Sequence, residues 1–514
     1  MKQWFIRYKK NYIYALILTL TLIGIDFFTN LFYPNFYIKS AKFTLQQIGI
    51  TFAVSLLIAF LTRKSRNIFS ALFILMSMVE VIYFAFFRST IQPYHFELLF
   101  SEMADIIDSL YSIIPTLLIV GVSYAALFYL IITLSKKLQL KSSIYANYGF
   151  ITLFVGLPVY AYFRPHTLTI SPLNFSYLNM LYSSSLATKN LIMPMEEGEF
   201  KPYVIEKKKS QEQNVIIVMG ESLSYKRMHL YGYDNNNTPN LDQLKSDSHF
   251  AFTKAVSCGV NTPVAISTFF SLKREPTNIA LMLNEKTNLL KLAKDNGYHT
   301  AWFSMQEEGM SIASILKYAE AIRIRKDFAE NSFDDALIDQ LKTVDWNQKN
   351  FIILHLRANH SPYEKYIPKR FKSKVYDRTD YRNYKIDTYN DSVRYVDYLL
   401  KEFFSYMDST NQSFKVYFTS DHGERLGYQD DHEKYGHSEL DMEVSKVPFL
   451  LYSDQKVQIK QPILTHYQIG KMIVNDLGYT VLNPNEDGEH CFINGVNKTG
   501  SSGVIKFKIK EFSL

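Results

Sequence analysis

Three apolar runs in the C-terminal half of the chain end on acids and imidazoles. NVIIVMGES (214–222) closes on Glu221, FKVYFTSDHGE (414–424) on Asp421 and His422, and NFIILHLRANH (350–360) on His360. One Glu, one Asp and one His are ligand types that zinc takes in catalytic sites, with a fourth position left open. A single Glu after a strand is ordinarily solvated or capping. An Asp-His pair followed by Gly-Glu is rarer, and the two features together predict a metal centre built on Glu221, Asp421 and His422. The hydroxyl such a centre would activate is sought in VSCGVNTPVAIST (256–268), a segment rich in small residues. Thr262 before Pro263 fits a helix start, where proline is tolerated. Coordination lowers the pKa of a hydroxyl and makes it a nucleophile; the alternative is a threonine that only caps its helix.

The elements that must carry these residues alternate. Helical patterns such as TNLLKLAKDNG (287–297) and YNDSVRYVDYLLKEFF (389–404) separate the apolar runs. That order predicts an α/β sandwich with a mostly parallel sheet, in which ligand chemistry gathers at the carboxyl ends of the strands. The chain has 514 residues, more than one ordinary core uses.

Its mean hydropathy of −0.09 hides a sharp change along its length. Before about residue 165, five apolar runs (12–32, 44–62, 68–87, 113–134 and 147–163) approach the ~20 residues a helix needs to cross a bilayer. Lys2, Arg7, Lys9 and Lys10 precede the first run, Arg63, Lys64 and Arg66 follow the second, and Lys136, Lys137 and Lys141 follow the fourth. Basic residues mark cytoplasmic loops. The pattern therefore puts the N-terminus inside and, after five spans, everything beyond 165 outside. Asp26 and Glu80 fall within spans, where packing or topology roles compete with functional ones. Residues 88–112 combine helical apolar spacing with acids, as expected of an amphipathic helix at the membrane surface. Four prolines and EKKKSQEQ mark 165–213 as bridging helices and a polar tether. The expected domains are thus a transmembrane bundle at 1–164, a bridge at 165–213 and a catalytic domain at 214–514. A net charge of +7 without a basic motif gives no support for nucleic acid as a partner. Two cysteines, Cys258 and Cys491, exclude a disulfide framework or a CxxC zinc pattern.

Four segments together, GESLSYKRMHLYGYDNNNTPNLDQL (220–244), CGVNT (258–262), LHLRANHSPY (354–363) and TSDHGERLG (419–427), resemble the bacterial phosphoethanolamine transferases. These belong to the alkaline phosphatase/sulfatase superfamily and include lipid A-modifying and colistin-resistance enzymes. The resemblance covers essentially the whole chain and implies five transmembrane helices, a bridge and a periplasmic sulfatase-like domain. It implies Zn(2+) held by Glu221, Thr262, Asp421 and His422, and a second metal position at His360 and His437, with His432 as the alternative to His437. It implies phosphatidylethanolamine as donor, a phospho-threonine intermediate on Thr262, and an envelope acceptor: lipid A, LPS core, another glycan or a protein. The enzyme would be a monomer in the inner membrane of a bacterium. The family's substrate-side Asn and Lys fall near Gln306 and Met310, and its headgroup acid at Asp105 or Glu102. Lipid A-modifying members pair the cysteine at Cys258 with one ten positions on; here that place is Thr268. Phosphoglycerol transfer of the lipoteichoic acid synthase type shares the layout. A sulfatase needs Cys or Ser in a CxPxR-like setting, which Cys258 lacks. A non-catalytic sensor would show an eroded ligand set, and Glu221, Thr262, Asp421 and His422 are all present.

Overall fold

The computed structural model describes residues 2–32, 41–87, 90–91, 95–96, 103–163, 176–192, 199–208, 213–307, 315–373, 376–431, 433–437, 439–495, 503–509 and 512. The chain divides into two compact units, Met1–Pro194 and Met195–Leu514.

The first unit is helical: α1 (Lys2–Phe32), α2 (Ala41–Phe60), α3 (Arg63–Phe87), α4 (Met103–Lys137), α5 (Ile144–Phe163) and α6 (Ser176–Ile192). The five apolar runs fall in α1 to α5. Three stretches, Ile6–Phe32, Arg63–Ala85 and Val120–Lys137, are long and apolar enough to cross a membrane; Ile48–Phe60 and Ile144–Gly156 are shorter apolar segments. These lie in α2 and α5, each 20 residues long, about 30 Å of helix and the thickness of a hydrocarbon core. Residues 103–112, expected in a surface-lying helix, instead form the first part of the continuous α4. Glu102, the alternative headgroup acid, lies outside the described residues, as does the side chain of Asp105 on α4.

The polarity of this unit is inverted relative to a water-soluble bundle. Leu20, Phe27, Phe28, Leu57, Leu75, Val122 and Leu130 are exposed, while Asn11, Asp26, Thr51, Ser55, Ser77 and Glu80 are buried. Apolar surface turned outward with polar groups paired inside suits a lipid solvent. Asp26 accepts hydrogen bonds from the Ser176 N–H at 2.9 Å and its hydroxyl at 2.6 Å. Glu80 accepts from the Ile91 N–H and from Asn179 Nδ2, both at 3.0 Å. The two intramembrane acids therefore tie α6, within the expected bridge, to α1 and α3.

The second unit is built on an eight-stranded sheet. Its strands in chain order are β1 (Asn214–Gly220), β2 (Phe250–Val256), β3 (His299–Ser304), β4 (Ala321–Arg323), β5 (Asn350–His355), β6 (Phe414–Ser420), β7 (Lys446–Ser453) and β8 (Ile463–Thr465). The spatial order is β8-β2-β7-β6-β1-β5-β3-β4. Every pairing is parallel except those of β7, which runs antiparallel to both β2 and β6. Strands buried on both faces read as continuous apolar runs, and β1 shows why. Val215, Ile217 and Met219 enter one core with Phe269, Phe270, Leu290, Trp302 and Ile473. Ile216 and Val218 enter the other with Tyr389, Val393, Val396 and Leu400 of the long helix α8 (Tyr381–Ser409). The first core is covered by α7 (Thr262–Phe270), Leu289–Asp295 and α9 (His466–Asp476). Within the expected polar tether, Val204–Lys207 is a strand paired antiparallel with Tyr479–Leu482.

Replacing Asp26 with Ala would leave the buried Ser176 donors without their carboxylate, at about 1–3 kcal/mol per unsatisfied group. The detergent-solubilised chain carrying Asp26→Ala should melt several degrees lower, and Asp26→Asn, which keeps one acceptor oxygen, should lose less. Equal melting of wild type and Asp26→Ala would contradict the tie.

Candidate metal centre

Register places the ligands. β1 and β6 are neighbours with Gly220 opposite Ser420, so the next residue of each strand, Glu221 and Asp421, emerges side by side at the carboxyl edge. His422 follows. On the other flank of β1, Met219 faces His355 of β5, whose continuation carries His360, and His355 faces Ser304 of β3, whose continuation carries Gln306. Four adjacent parallel strands thus deliver five of the singled-out residues to one edge, as the open α/β rule requires.

Glu221, Asp421 and His422 are buried, and one ligand atom of each lies within 4.8 Å of the others. His422 Nε2 is 3.6 Å from Glu221 Oε1 and 3.3 Å from Asp421 Oδ2. Thr262 Oγ1 completes the group, 3.1 Å from Glu221 Oε2 and 3.3 Å from His422 Nε2. Burial pushes the Glu221 carboxyl up, but the imidazoles of His422, His360 and His437 outweigh it and hold the group well below the usual carboxylate range. Burial, then the Glu221 charge, pushes Asp421 up to about 7. Burial works against a charge on His422, and the Asp421 and Glu221 carboxylates raise its pKa nonetheless. Two adjacent buried acids cannot both ionise cheaply without a cation. Asp421 Oδ2 is also buried with no hydrogen-bond partner, which buried oxygens seldom tolerate. The donor set and this orphaned oxygen fit a divalent cation held by Glu221, Asp421, His422 and Thr262.

The imidazoles are oriented by their other nitrogens. His422 Nδ1 lies 3.0 Å from Gly423 O and His360 Nδ1 2.8 Å from Ser361 O. His437 Nδ1 lies 2.8 Å from Glu424 Oε2. With Nδ1 engaged in each ring, Nε2 is the nitrogen that would ligate, the usual arrangement around bound metals. His437 stacks against His422, ring centroids 4.1 Å apart, and burial, then His422, lowers its pKa. His432 and Met310 lie outside the described residues.

The loop carrying Thr262 is positioned without a disulfide; Cys258 and Cys491 are both free thiols. Ser257 N–H donates to Ser445 O at 2.8 Å, and its hydroxyl donates to Asp421 O. Asn494 N–H and Nδ2 both reach Cys258 O at 2.9 Å. A Cβ at Gly259 would meet Ala265 N at 2.8 Å, so only glycine lets the loop lie this close to α7. The cap of α7 is Asn261, which accepts from Val264 N at 3.2 Å. Thr262 is therefore the first helical residue and its hydroxyl is released from capping.

Several residues at the site went unmarked by strand-end logic. Ser222 adopts a left-handed φ of 52°, at about 1–2 kcal/mol for a non-glycine residue. Its N–H donates to Asp421 Oδ1 at 3.0 Å, its hydroxyl to Glu221 Oε1 at 2.6 Å, and its carbonyl accepts from Tyr389 OH at 2.8 Å. Asp334 accepts the Arg357 and Ala358 N–H groups, each at 2.9 Å, and so holds the turn leading to His360. Glu424 holds His437, and Tyr363 OH donates to its other oxygen at 2.7 Å. His355 is buried behind the site and pushed down to about 4 by burial. Gln306 directs Nε2 to Glu221 Oε2 at 2.8 Å and to Leu356 O at 2.7 Å, so both amide hydrogens serve the ligand shell.

Two outcomes follow from this geometry. A divalent cation at a hundred times its Kd should add about 2.7 kcal/mol of stability, read as a rise in Tm reversed by chelator; Asp421→Asn should abolish the response. Gln306→Met should weaken cation affinity about 10- to 100-fold, as loss of outer-shell partners does, measured by competition with a metal dye. Unchanged affinity would leave Gln306 without a role in holding Glu221.

Known proteins bear on this arrangement. Phosphoethanolamine transferase EptA of Helicobacter pylori is 26% identical over 268 residues, covering 49% of each chain. The chain spans about half the length of the curated relatives it matches. The C-terminal periplasmic domain of EptC from Escherichia coli, solved in complex with zinc, superposes with a TM-score of 0.50 at 19% identity, over 60% of this chain and 96% of that one. Integral membrane lipooligosaccharide phosphoethanolamine transferase A from Neisseria meningitidis superposes with a TM-score of 0.61 at 15% identity, over 92% and 95%. At these identities the structures establish the fold: apolar N-terminal helices joined to an alkaline phosphatase-like α/β domain. The sulfatase family model matches residues 213–483, a stretch that holds every strand of the eight-stranded sheet and the whole Glu221-Asp421-His422-Thr262 cluster, and the chain belongs to the sulfatase family.

Proposed function

We propose that this protein is a zinc-dependent phosphoethanolamine transferase of the inner membrane, moving phosphoethanolamine from phosphatidylethanolamine to an envelope acceptor with its catalytic domain in the periplasm. The observation that carries the reading is the hydroxyl of Thr262 between Glu221 and His422, at 3.1 and 3.3 Å, on the first turn of α7. Membership of the sulfatase family does not choose the reaction, because function resides in the site. Sulfate-ester hydrolysis by this family's formylglycine route starts from Cys or Ser. Threonine at 262 carries a methyl on Cβ, so oxidation there yields a ketone and not the aldehyde. Cys258 is buried against His466 at 3.6 Å, its thiol pushed up to about 12 by burial, which keeps it unreactive.

Zinc, held by Glu221, Asp421, His422 and Thr262, would supply Lewis-acid polarisation of phosphoryl oxygens and a lowered pKa for the threonine hydroxyl. The chain's own residues do the rest. Thr262 Oγ1, its proton released to solvent, attacks phosphorus, and the bond from phosphorus to the diacylglycerol oxygen breaks. The leaving oxygen takes a proton from an imidazole, His360 or His437. Phosphoethanolamine now sits on Thr262 as a phosphodiester. An acceptor oxygen gives its proton to the same imidazole, attacks phosphorus, and Thr262 recovers its proton as it leaves. Asp105, or Glu102, offers a carboxylate to the ammonium of the donor headgroup. The exposed apolar helices of the first unit fit a donor and a diacylglycerol product that both stay in a bilayer.

Incubated with phosphatidylethanolamine, the wild-type chain should gain one phosphoethanolamine on the peptide carrying Thr262, seen by mass spectrometry. Thr262→Ala should show neither the adduct nor diacylglycerol release, and an adduct in that variant would sink the assignment.

A further inference from the structure

Near the candidate site lies a buried cation that the steps above leave unused. Lys385, on α8, is 9% exposed. Its Nζ donates to Ser361 Oγ at 2.9 Å and lies 4.3 Å from the centroid of the Tyr363 ring. It forms no ion pair within 4.0 Å among the described residues. Burial lowers its pKa, and the acids whose fields oppose this are Glu424 and Glu364. Both Glu424 oxygens are engaged, by Tyr363 OH and His437 Nδ1. Glu364 accepts from Tyr384 OH. An ammonium has three donors. Here one is used by a neutral hydroxyl, and an aromatic face accounts for a second direction. Burying a charge on such terms costs several kcal/mol unless a counter-charge arrives.

Its position says what that counter-charge is. Ser361, which fixes the ammonium, directly follows His360, and Tyr363 and Glu424 fix His437. Lys385 therefore lies between the backbone that carries one imidazole and the carboxylate that orients the other. On the transfer reading, on which this inference rests, both imidazoles serve the phosphoryl group, and Lys385 stands beside the residues that hold them. Phosphoryl groups in flight are stabilised chiefly by fixed positive charge aimed at their oxygens.

We propose that Lys385 is an anion-binding residue of the cleft, its ammonium completing a subsite with Ser361 and Tyr363 that takes a phosphate oxygen. The phosphate is either the donor's diester or one on the acceptor, and the two sources are separable. The Ser361 hydroxyl holds the ammonium in place, while the Tyr363 ring shields it from water and leaves a donor for the ligand. Lys385 thus selects for an anionic partner where an apolar or neutral side chain would not.

The test uses the full zinc-loaded chain in detergent and inorganic phosphate as probe, titrated calorimetrically. Lys385→Met should weaken phosphate binding roughly ten-fold or more, the loss expected for a charged hydrogen bond, with zinc content and Tm unchanged. If Lys385→Met does not fold, Lys385→Gln, which keeps a donor for Ser361 Oγ without the charge, takes its place with the same expectation. Diacylglycerol release from phosphatidylethanolamine micelles separates the sources. A parallel rise in KM in the variant assigns the subsite to the donor phosphodiester, and an unchanged KM assigns it to the acceptor. Phosphate binding that survives both substitutions overturns the inference, as does a chain that folds with neither, because the charge is then structural. A wild-type chain that binds phosphate in a Lys385-dependent way yet never releases diacylglycerol would instead overturn the transfer reading alone.

Discussion

Two carboxylates buried edge to edge are unstable as a pair of anions, and everything around the strand ends of this protein answers that constraint. The in-register pairing of β1 with β6 makes the contact unavoidable, since Gly220 faces Ser420 and the chain continues at once to Glu221 and Asp421. Burial drives the two groups apart in acidity: Glu221 is held low by three imidazoles, and Asp421 is raised to about 7. A cation removes the conflict, and Asp421 Oδ2, buried without a hydrogen bond, is the oxygen left to ligate it. The sheet cannot relax the problem away, because β1 and β6 are buried along their length between two cores.

The nucleophile is held to the same standard of rigidity by different means. Thr262 could have spent its hydroxyl on capping α7. Asn261 takes that task, and Pro263 follows at a position where its missing N–H costs nothing. Gly259 permits backbone contact with Ala265, and Ser257 binds the main chain of Asp421 itself. The loop is therefore referenced directly to the ligand strand. The strand His490–Asn494 holds the loop as well, with the N–H and Nδ2 of Asn494 both bonded to Cys258 O.

Legibility in the sequence followed the range of the interactions. Strand runs, their parallel order and the residues just past their ends were readable, because an apolar strand buried on both faces and its polar exit are local in sequence. Glu221, Thr262, Asp421 and His422 were accordingly named, and the structure brings them together; His437 reaches His422 through a contact 15 residues on, less securely marked. What stayed hidden depends on register and on long-range pairs. Gln306, named only as a substrate-side residue, serves Glu221 across 85 residues, Asp334 holds the His360 turn across 23 and 24, and Lys385 meets Ser361 across 24. The antiparallel β7 was equally silent, since KVPFLLYS reads as one more apolar run with no mark of direction. In the first unit the five apolar runs were plain, but the continuity of α4 through 103–112 was not, because acids between apolar residues suit a surface helix as well as the extension of a span.

The same accounting explains why the polar cleft is compatible with a stable domain. Buried charges destabilise unless each is paired or hydrogen-bonded, and here the pairing is sequential. Ser222 serves both ligand acids at the cost of a left-handed backbone, and Tyr389 of α8 fixes Ser222 in turn. Glu424 is satisfied by Tyr363 and His437, so its charge orients an imidazole without remaining exposed to the cleft. Each carboxylate is thus given neutral or cationic partners from a different element, and those elements are locked by the two cores. Among the groups left incompletely matched around the site are Asp421 Oδ2, beside the proposed metal, and the Lys385 ammonium. A protein that spends so many hydrogen bonds on satisfying buried polar groups, and leaves a negative and a positive one incompletely matched, is arranged to receive a cation and an anion together. A metal ion and a phosphoryl group are that pair.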